Sequence, residues 1–474
     1  MLHNDVLLHI FEFYVAEDTD TEKWITLVHV CRLWRSLVFQ SPRRLNLQLS
    51  YPPNKWAMDI LDIWPPLPLI IHDDFTTFSG ESSVENPNTI AAVKHILHKY
   101  RVSQIKIHYH RILDYIVDLA EMQRPFPELT HLRFRPYTFD GPILPDSFLG
   151  GSTPRLRSLV LFRIPFPALL NLLLSTTHLV NLELYDVPPL GYIPPELMAT
   201  SLSALTRLNL LHLHFRFPNP HPILQGRCPP PLTRSILPNL TTIQFRGSSE
   251  YLEDILAWID APRTNELCIT FFNQFMFNTP QLFQSISRRP TLSTPVEKGR
   301  IRFCSNSIVV KFWSQTSDCG TLVVEIPCSD SELRRLSSFH QVCTSSLPYL
   351  STLEDLYYLT EREFRRPHWQ TDVENTLWLQ LIHPFAAVKN LFLGKEFAFL
   401  FAPALQELVG GRSTEVLPTL ENIFLEGFHP SGPLHEGIEK FIDARRLTSH
   451  PVAISRWDRD LERATWKGSM VYGW

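Results

Sequence analysis

One pattern constrains this chain more than any other: a six-residue template, Leu-x-x-Leu-x-Leu, with Ile, Val or an aromatic at some positions. It occurs as LTHLRF (129–134), LRSLVL (156–161), LVNLEL (179–184), LTRLNL (205–210) and LTTIQF (240–245), then as LEDLYY (353–358), VKNLFL (388–393) and LENIFL (420–425). The first four spacings, from first residue to first residue, are 27, 23, 26 and 35. Apolar residues at alternate positions are the mark of a strand with one buried face. A short strand that returns at such a period cannot bury that face alone, so copies must stack. Most copies follow a proline and a short polar segment, as in FPELTHL, TPRLRSL, LPNLTTI and LPTLENI. The chain holds 39 prolines against 17 glycines. Proline interrupts helices and inner strands, so the elements should be short and their connections stiff.

Helical patterns lie between the strands. SEYLEDILAWID (249–260) sets Leu252, Ile255, Leu256 and Ile259 on one face. TPQLFQSISRR (279–289) offers Thr279 as a cap and Pro280 at the first helical position. Segments 88–100, 111–122 and 435–446 read the same way. The alternation resembles the leucine-rich repeat, whose period is about 20–29 residues. The resemblance implies an α/β solenoid over residues 47–470, irregular because repeat lengths vary. That family places Asn or Cys three residues after the last template leucine, and none of the eight segments does. The side-chain ladder that satisfies backbone groups in regular repeats should therefore be absent or replaced. Residues 215–238 are Pro-rich and read as a surface loop. The stretch near 297–328 reads as successive strands, either an insertion or two irregular repeats, with turn signals at Ser305-Asn306 and Asp318-Cys319-Gly320.

If template residues point into the core, the residues between them form a second face. That face would carry Arg133, Arg135, Phe162, Tyr185, Arg246, Tyr357, Phe392 and Phe424, with Val160, Glu183, Asn209, Gln244 and Glu426 among them. Aromatic and arginine side chains mixed with a few acids suit a protein-binding surface, and these residues are the expected target contacts.

The first 46 residues differ. Residues 4–14 read as a helix with Leu7, Ile10, Phe11 and Tyr14 on one apolar face, and Val6 and Phe13 on a second. Two further short helices follow, WITLVHVC and CRLWRSLVF, the last ended by Ser41-Pro42. Three helices in so few residues cannot bury their apolar groups alone. MLHNDVLLHIFEFY followed by LVHVCRLWRSLVF resembles the F-box of the type expanded in fungi. The match runs through Leu2, Asp5, Val6, Leu7, Leu8, Ile10 and Phe11, then Val30, Cys31, Arg32, Trp34 and Arg35. His3 stands where that family usually has proline. The resemblance implies docking on a Skp-type adaptor, and through it on a cullin ligase of the SCF type. Leu2, Asp5, Ile10, Phe11, Cys31 and Trp34 would then lie at or just behind the adaptor interface. The chain would act as a non-catalytic substrate receptor, part of ubiquitin-dependent degradation. The alternative is a repeat scaffold that binds proteins without the adaptor.

Other chemistry has little support in the sequence. The formal net charge is -4, which gives no footprint for nucleic acid or an anionic membrane. Seven scattered cysteines form no CxxC pair, which argues against a disulfide framework or zinc site. Nineteen histidines include the pairs His95/His98, His108/His110 and His212/His214, none beside a converging Cys or acidic cluster, so they read as surface or edge histidines. Cys31 reads as a packed cysteine. No phosphate loop, nucleophile elbow or dinucleotide fingerprint is present, so no enzyme, cofactor or metal is expected. The N-terminus lacks a signal-peptide pattern, and residues 159–174 are too interrupted to span a bilayer. The expected compartment is cytoplasmic or nuclear.

Overall fold

The computed structural model describes residues 3–16, 23–51 except 43 and 46, 67–72, 97, 101–108, 113, 118, 120–136, 141–217, 233–272, 279–289, 296–304, 307–313, 320–327, 339–341, 343, 350, 352–360, 375–408, 412–427 and 433–459. Leu2, the helices expected over 88–100 and 111–122 save a few positions, and most of the loop expected at 215–238 lie outside them. The chain forms two compact units, Met1–Asn219 and Pro220–Trp474, and each is a mixed α/β structure on a large, mostly parallel sheet.

In the first unit three helices come first: α1 (Asn4–Ala16), α2 (Trp24–Val30) and α3 (Arg32–Gln40). Leu7, Leu8, Phe11, Trp24, Leu27, Val28, Leu37 and Val38 make their shared core. Trp24 Nε1 donates to Gln48 O at 2.9 Å, tying α2 to the start of the sheet. Among the described residues, seven parallel strands follow in chain order: β1 (Leu49–Tyr51), β2 (Leu69–His72), β3 (Val102–Ile107), β4 (His131–Phe134), β5 (Ser158–Phe162), β6 (Asn181–Val187) and β7 (Leu210–Phe215). Helices α4 (Leu169–Ser175) and α5 (Pro195–Ser203) lie between the later strands.

The second unit orders its main sheet β9 (Thr242–Gly247), β11 (Glu266–Phe271), β14 (Thr321–Pro327), β13 (Ser307–Trp313), β12 (Lys298–Phe303), β15 (Asp355–Thr360), β16 (Asn390–Leu393), β17 (Asn422–Glu426) and β18 (Ala453–Trp457). A separate parallel pair joins β8 (Ser235–Ile236) to β10 (Ile259–Asp260). The stretch read as successive strands is a meander set inside the sheet. The chain leaves β11, lays down β12 three places away, and returns through antiparallel β13 to β14. Both outer strands of the meander then run parallel to their other neighbours, β11 and β15. The helices are α6 (Ser249–Trp258), α7 (Pro280–Ser287), α8 (Asn375–Ile382), α9 (Lys395–Gln406) and α10 (Pro433–Leu447).

Template residues are buried, as the alternation predicts: Leu132 and Phe134, Leu159 and Leu161, Leu182 and Leu184, Ile243 and Phe245, Leu391 and Leu393, Ile423 and Leu425. In β7 the register differs from the template at 205–210: Leu211 and Leu213 take the buried places, Leu210 is half-buried, and Asn209, expected on the second face, lies exposed ahead of the strand. In the second unit the helices pack on this template face, where Tyr358 meets Phe397 and Phe401 of α9 at 5.8 and 4.9 Å.

Side-chain hydroxyls bridge neighbouring strands near their N-terminal ends. Just ahead of, or at the start of, a strand, a side chain donates to a main-chain carbonyl near the previous strand. Ser103 Oγ donates to Leu69 O (3.1 Å), Thr130 Oγ1 to Ser103 O (2.9 Å) and Thr264 Oγ1 to Leu240 O (3.3 Å). Thr419 Oγ1 donates to both Ala386 O and Val388 O at 3.0 Å. Ahead of β18, fully buried Arg445 of α10 takes over, donating to Ser413 O, Pro418 O and Leu420 O. Buried carbonyls need donors whatever the residue type. Capping is also redistributed. The side chain of Thr279 makes no cap bond to α7; instead Glu253 of α6 accepts from Gln281 N (2.7 Å) and Leu282 N (2.8 Å). Burial still holds the Glu253 carboxyl above the usual range against those two bonds.

Candidate functional site: the N-terminal helices and the two alternate faces

Helix α1 divides its apolar side chains differently from the expected faces. Leu7, Leu8 and Phe11 turn inward, while Val6, Ile10, Phe13 and Tyr14 remain 45%, 47%, 73% and 39% exposed. These four follow i, i+4, i+7, i+8 and make one stripe. Ile10 and Tyr14 therefore belong with Val6 and Phe13, not with Leu7 and Phe11. The physical cause is the way α1 seats: Phe11 packs on Trp34 with ring centroids 4.7 Å apart, which turns Ile10 outward. Val30 and Leu33 are also exposed.

Of the expected adaptor contacts, Leu2 lies outside the described residues. Asp5 and Ile10 are exposed, Phe11 is fully buried behind the stripe, and Trp34 is half-buried on Phe11. Cys31 is exposed rather than packed, and its Sγ accepts from Trp34 N at 3.4 Å, which makes it the N-cap of α3. The thiol stands where a Ser or Asp cap would stand. His3 also acts locally: its carbonyl accepts from Val6 N and Leu7 N, and its Nδ1 lies 3.5 Å from Asp5 N.

On each sheet the residues alternating with the template form a second face, here called the alternate face. In the first unit one row in register reads Lys106, Arg133, Val160, Glu183, His212 across β3 to β7. Arg133 and Arg135 are exposed, and Phe162 and Tyr185 are half-buried. The Arg135 guanidinium lies 5.0 Å from the Phe162 ring centre, and that of Arg163 lies 5.5 Å away. Arg163 and Asp186 both have positive φ (58° and 49°) at irregular strand ends, and Arg163 Nε meets Asp186 Oδ2 at 3.0 Å. Phe162 stacks on Tyr185 at 5.0 Å, and Tyr185 meets His212 and His214 edge-on.

His212 and His214 are buried at 1% and 4% exposure, not surface or edge histidines. Strand β7 is closed on both faces, which its run of alternating Leu and His did not reveal. Tyr185 Oη donates to Glu183 Oε2 (2.9 Å) and lies 2.5 Å from His212 Nδ1. Since the hydroxyl proton points to Glu183, neutral His212 carries its proton on Nδ1 and donates to Tyr185. Burial depresses the His212 pKa to about 4. The 3.6 Å approach of His212 to Glu183 is therefore part of a neutral-histidine network at pH 7, not an ion pair.

In the second unit the target residues Tyr357, Phe392 and Phe424 fall on one row through β15, β16 and β17. They stack as a ladder, with centroids 4.2 and 4.5 Å apart and rings within 10° of parallel. Trp457 lies against Tyr357 and Phe392, and Trp313 against Tyr357. Tyr357 and Phe392 are buried, at 1% and 9% exposure, so only half-buried Phe424 of the three presents much surface. Two residues earlier in each strand runs a polar ladder. Asn422 Nδ2 donates to Asn390 Oδ1, Asn390 Nδ2 donates to Asp355 Oδ1, both at 2.8 Å, and Lys298 Nζ stands 3.5 Å from Asp355. Arg246, also expected on this face, is half-buried on β9.

Among the described residues no group of three His, Cys, Asp or Glu side chains could hold a metal ion. Cys268 and Cys343 are pushed up to about 12 and well above the usual thiol range by burial, so neither is a ready nucleophile. Among the described residues no helix is long and apolar enough to cross a membrane. No protein-family model matches the chain, and no curated protein is significantly similar to it.

Proposed function

We propose that this protein is a substrate receptor of an SCF-type ubiquitin ligase, with an F-box at its N-terminus and a degenerate leucine-rich-repeat-like solenoid behind it. The observation that carries the reading is the exposed stripe of α1. Four large apolar side chains, Val6, Ile10, Phe13 and Tyr14, stay open on a helix whose other face is fully packed. A cluster of this kind on so small a module marks a partner surface. The sequence of the three helices resembles the F-box at the same positions, and the partner is then a Skp-type adaptor. The receptor does no chemistry. It holds a target on the alternate faces of its sheets and so raises the effective concentration of the target's lysines near the ligase.

The test is a pulldown of the full chain with a Skp-type adaptor, beside Ile10→Glu. Ile10 is half exposed, so the variant should keep its unfolding midpoint and lose adaptor binding. Trp34→Ala is the structural comparator, expected to lose both, because it removes the ring that packs on Phe11. Retained binding by Ile10→Glu would remove α1 from the interface, and no binding by the wild type would leave the adaptor-independent scaffold.

A further inference from the structure

The alternate face of the first unit holds three cations with no acidic partner among the described residues. Lys106 on β3 is in register with Arg133 on β4. Arg135 follows Arg133 by two residues and so projects from the same side of the strand. Neighbouring strands are about 4.8 Å apart and a two-residue step is about 6.7 Å, so the three charges sit at the corners of a small triangle. Among the described residues none of the three has an acidic partner; Arg135 has only the Phe162 ring. Crowding is visible in Lys106, whose pKa is lowered by burial and then by Arg133. Half-buried His131, in the row below, is lowered by burial and then by Lys106 and Arg157. Every other arginine singled out on this face is compensated: Arg163 by Asp186.

We infer that Lys106, Arg133 and Arg135 form a docking site for an extended acidic segment of a protein, with carboxylates two residues apart. This deepens the target-binding half of the receptor reading and rests on it. The argument is charge complementarity. An extended chain repeats its side chains on one side every two residues, which is the spacing of Arg133 and Arg135. One carboxylate would meet Arg135 and the next would bridge Arg133 and Lys106. Guanidinium groups suit carboxylates because they bind through two parallel hydrogen bonds.

Nucleic acid fits less well. A polyphosphate needs a stripe of cations, and this row passes through Val160 to Glu183 within two strands. The Phe162 ring already has Arg135 and Arg163 against it, which leaves it poorly placed to stack on a base.

The test uses the full chain and a fluorescein-labelled decapeptide of alternating Glu and Ser, followed by fluorescence anisotropy at low and high salt. Wild type should bind it, more weakly as salt rises, and should ignore the Gln-Ser analogue. The double variant Arg133→Glu/Arg135→Glu should bind at least about tenfold more weakly, because it sets like charges against like. Both residues are exposed, so circular dichroism should show the fold intact. Arg412→Glu/Arg446→Glu, which changes two exposed arginines of the second unit paired with Glu415 and Asp443, should bind as wild type does. Equal binding by both double variants, no binding by wild type, or tighter binding of a single-stranded oligonucleotide than of the acidic peptide would each overturn the inference. Ile10→Glu should leave peptide binding unchanged, so failure of the adaptor pulldown and failure of this assay are read separately.

Discussion

The alternate faces of the two units use the same parallel register but fill it differently. In residues 220–474, from β15 to β17, the rows pair like with like. Aromatic rings stack on aromatic rings at Tyr357, Phe392 and Phe424, and amides bond to amides at Asn390 and Asn422. One cation there has an acid close by, Lys298 against Asp355, while Lys311 is lowered by burial and then by Arg300, its partner in register. In residues 1–219 the rows run from one character to another. Lys106 and Arg133 begin a row that ends in Glu183 and buried His212. A parallel sheet with no register shift sets the same strand position side by side in every repeat. Repeating a residue there makes a self-satisfied ladder; varying it leaves groups whose needs are met elsewhere. A self-satisfied face is suited to holding the sheet together, and an unsatisfied one to meeting a partner.

The largest expected effect tests the first half of that contrast. Phe392 is sandwiched between Tyr357 and Phe424 and is 9% exposed. Phe392→Ala should cost about 3–5 kcal/mol, the usual range for removing a buried aromatic ring, read by chemical denaturation. Phe162→Ala, at the matching kind of position on the first unit, should cost much less, because Phe162 is only half-buried. Equal losses would show that the two faces do not differ in this way.

The next effect belongs to the first unit and depends on pH. His212 has a folded pKa of about 4 against an ordinary 6.5. Between those values the unfolded chain binds the proton and the folded chain does not, so stability falls as pH drops from 6.5 to 4. The whole shift is worth about 3 kcal/mol at 1.36 kcal/mol per pKa unit. His212→Gln should flatten the pH dependence of stability in this window by close to one proton. An unchanged slope would mean that Glu183, 3.6 Å away, supports a charged His212 after all.

A third test asks whether the polar ladder is as self-sufficient as the aromatic one. Asn390 both donates to Asp355 and accepts from Asn422. Asn390→Ala breaks both links and should cost about 1–2 kcal/mol, since each hydrogen bond is worth about 1 and the site is half-buried. Asn422→Ala breaks one link at the ladder's end and should cost about half as much. If the two cost the same, the Asn390–Asp355 link adds nothing once the Asn390–Asn422 link is lost, and the rungs do not add independently.

How much of this was legible in the sequence follows the same divide. The template strands, their buried positions and the helix over Ser249–Trp258 follow from period-two and period-3.6 patterns, because one-sided burial writes itself into alternation. The meander over Lys298–Pro327 was legible as strands but not as an order, since pairing partners leave no local mark. Ile10 groups with Leu7, Phe11 and Tyr14 in the sequence because those four form a sound helical stripe. The stripe that is exposed, Val6, Ile10, Phe13 and Tyr14, is an equally sound one, and a helix apolar on two sides does not say which side it buries. His212 was read as an edge histidine because burial of an imidazole depends on Tyr185 and Glu183 one strand over, which only the register brings together. Cys31 as a cap could have been found from its place directly before a helical run, had the thiol been weighed as an acceptor.

The smallest expected effects concern the hydroxyls that bridge the strands, and they refine the comparison most. Thr264 is fully buried and donates to Leu240 O and Ala261 O; Thr419 is exposed and donates to Ala386 O and Val388 O. The bonds are alike, so any difference between the two substitutions reports on solvent. Thr264→Val leaves its two acceptors without that donor and away from water, and should cost about 1–2 kcal/mol. At Thr419, water can replace the hydroxyl, and Thr419→Val should cost about 0.5 kcal/mol or less. If both cost the same small amount, the hydroxyl ladder is incidental, and the strands are held in register by template-face packing alone. If Thr264 costs more, buried hydroxyls help hold the strands in register, through short donors placed close to the backbone they serve.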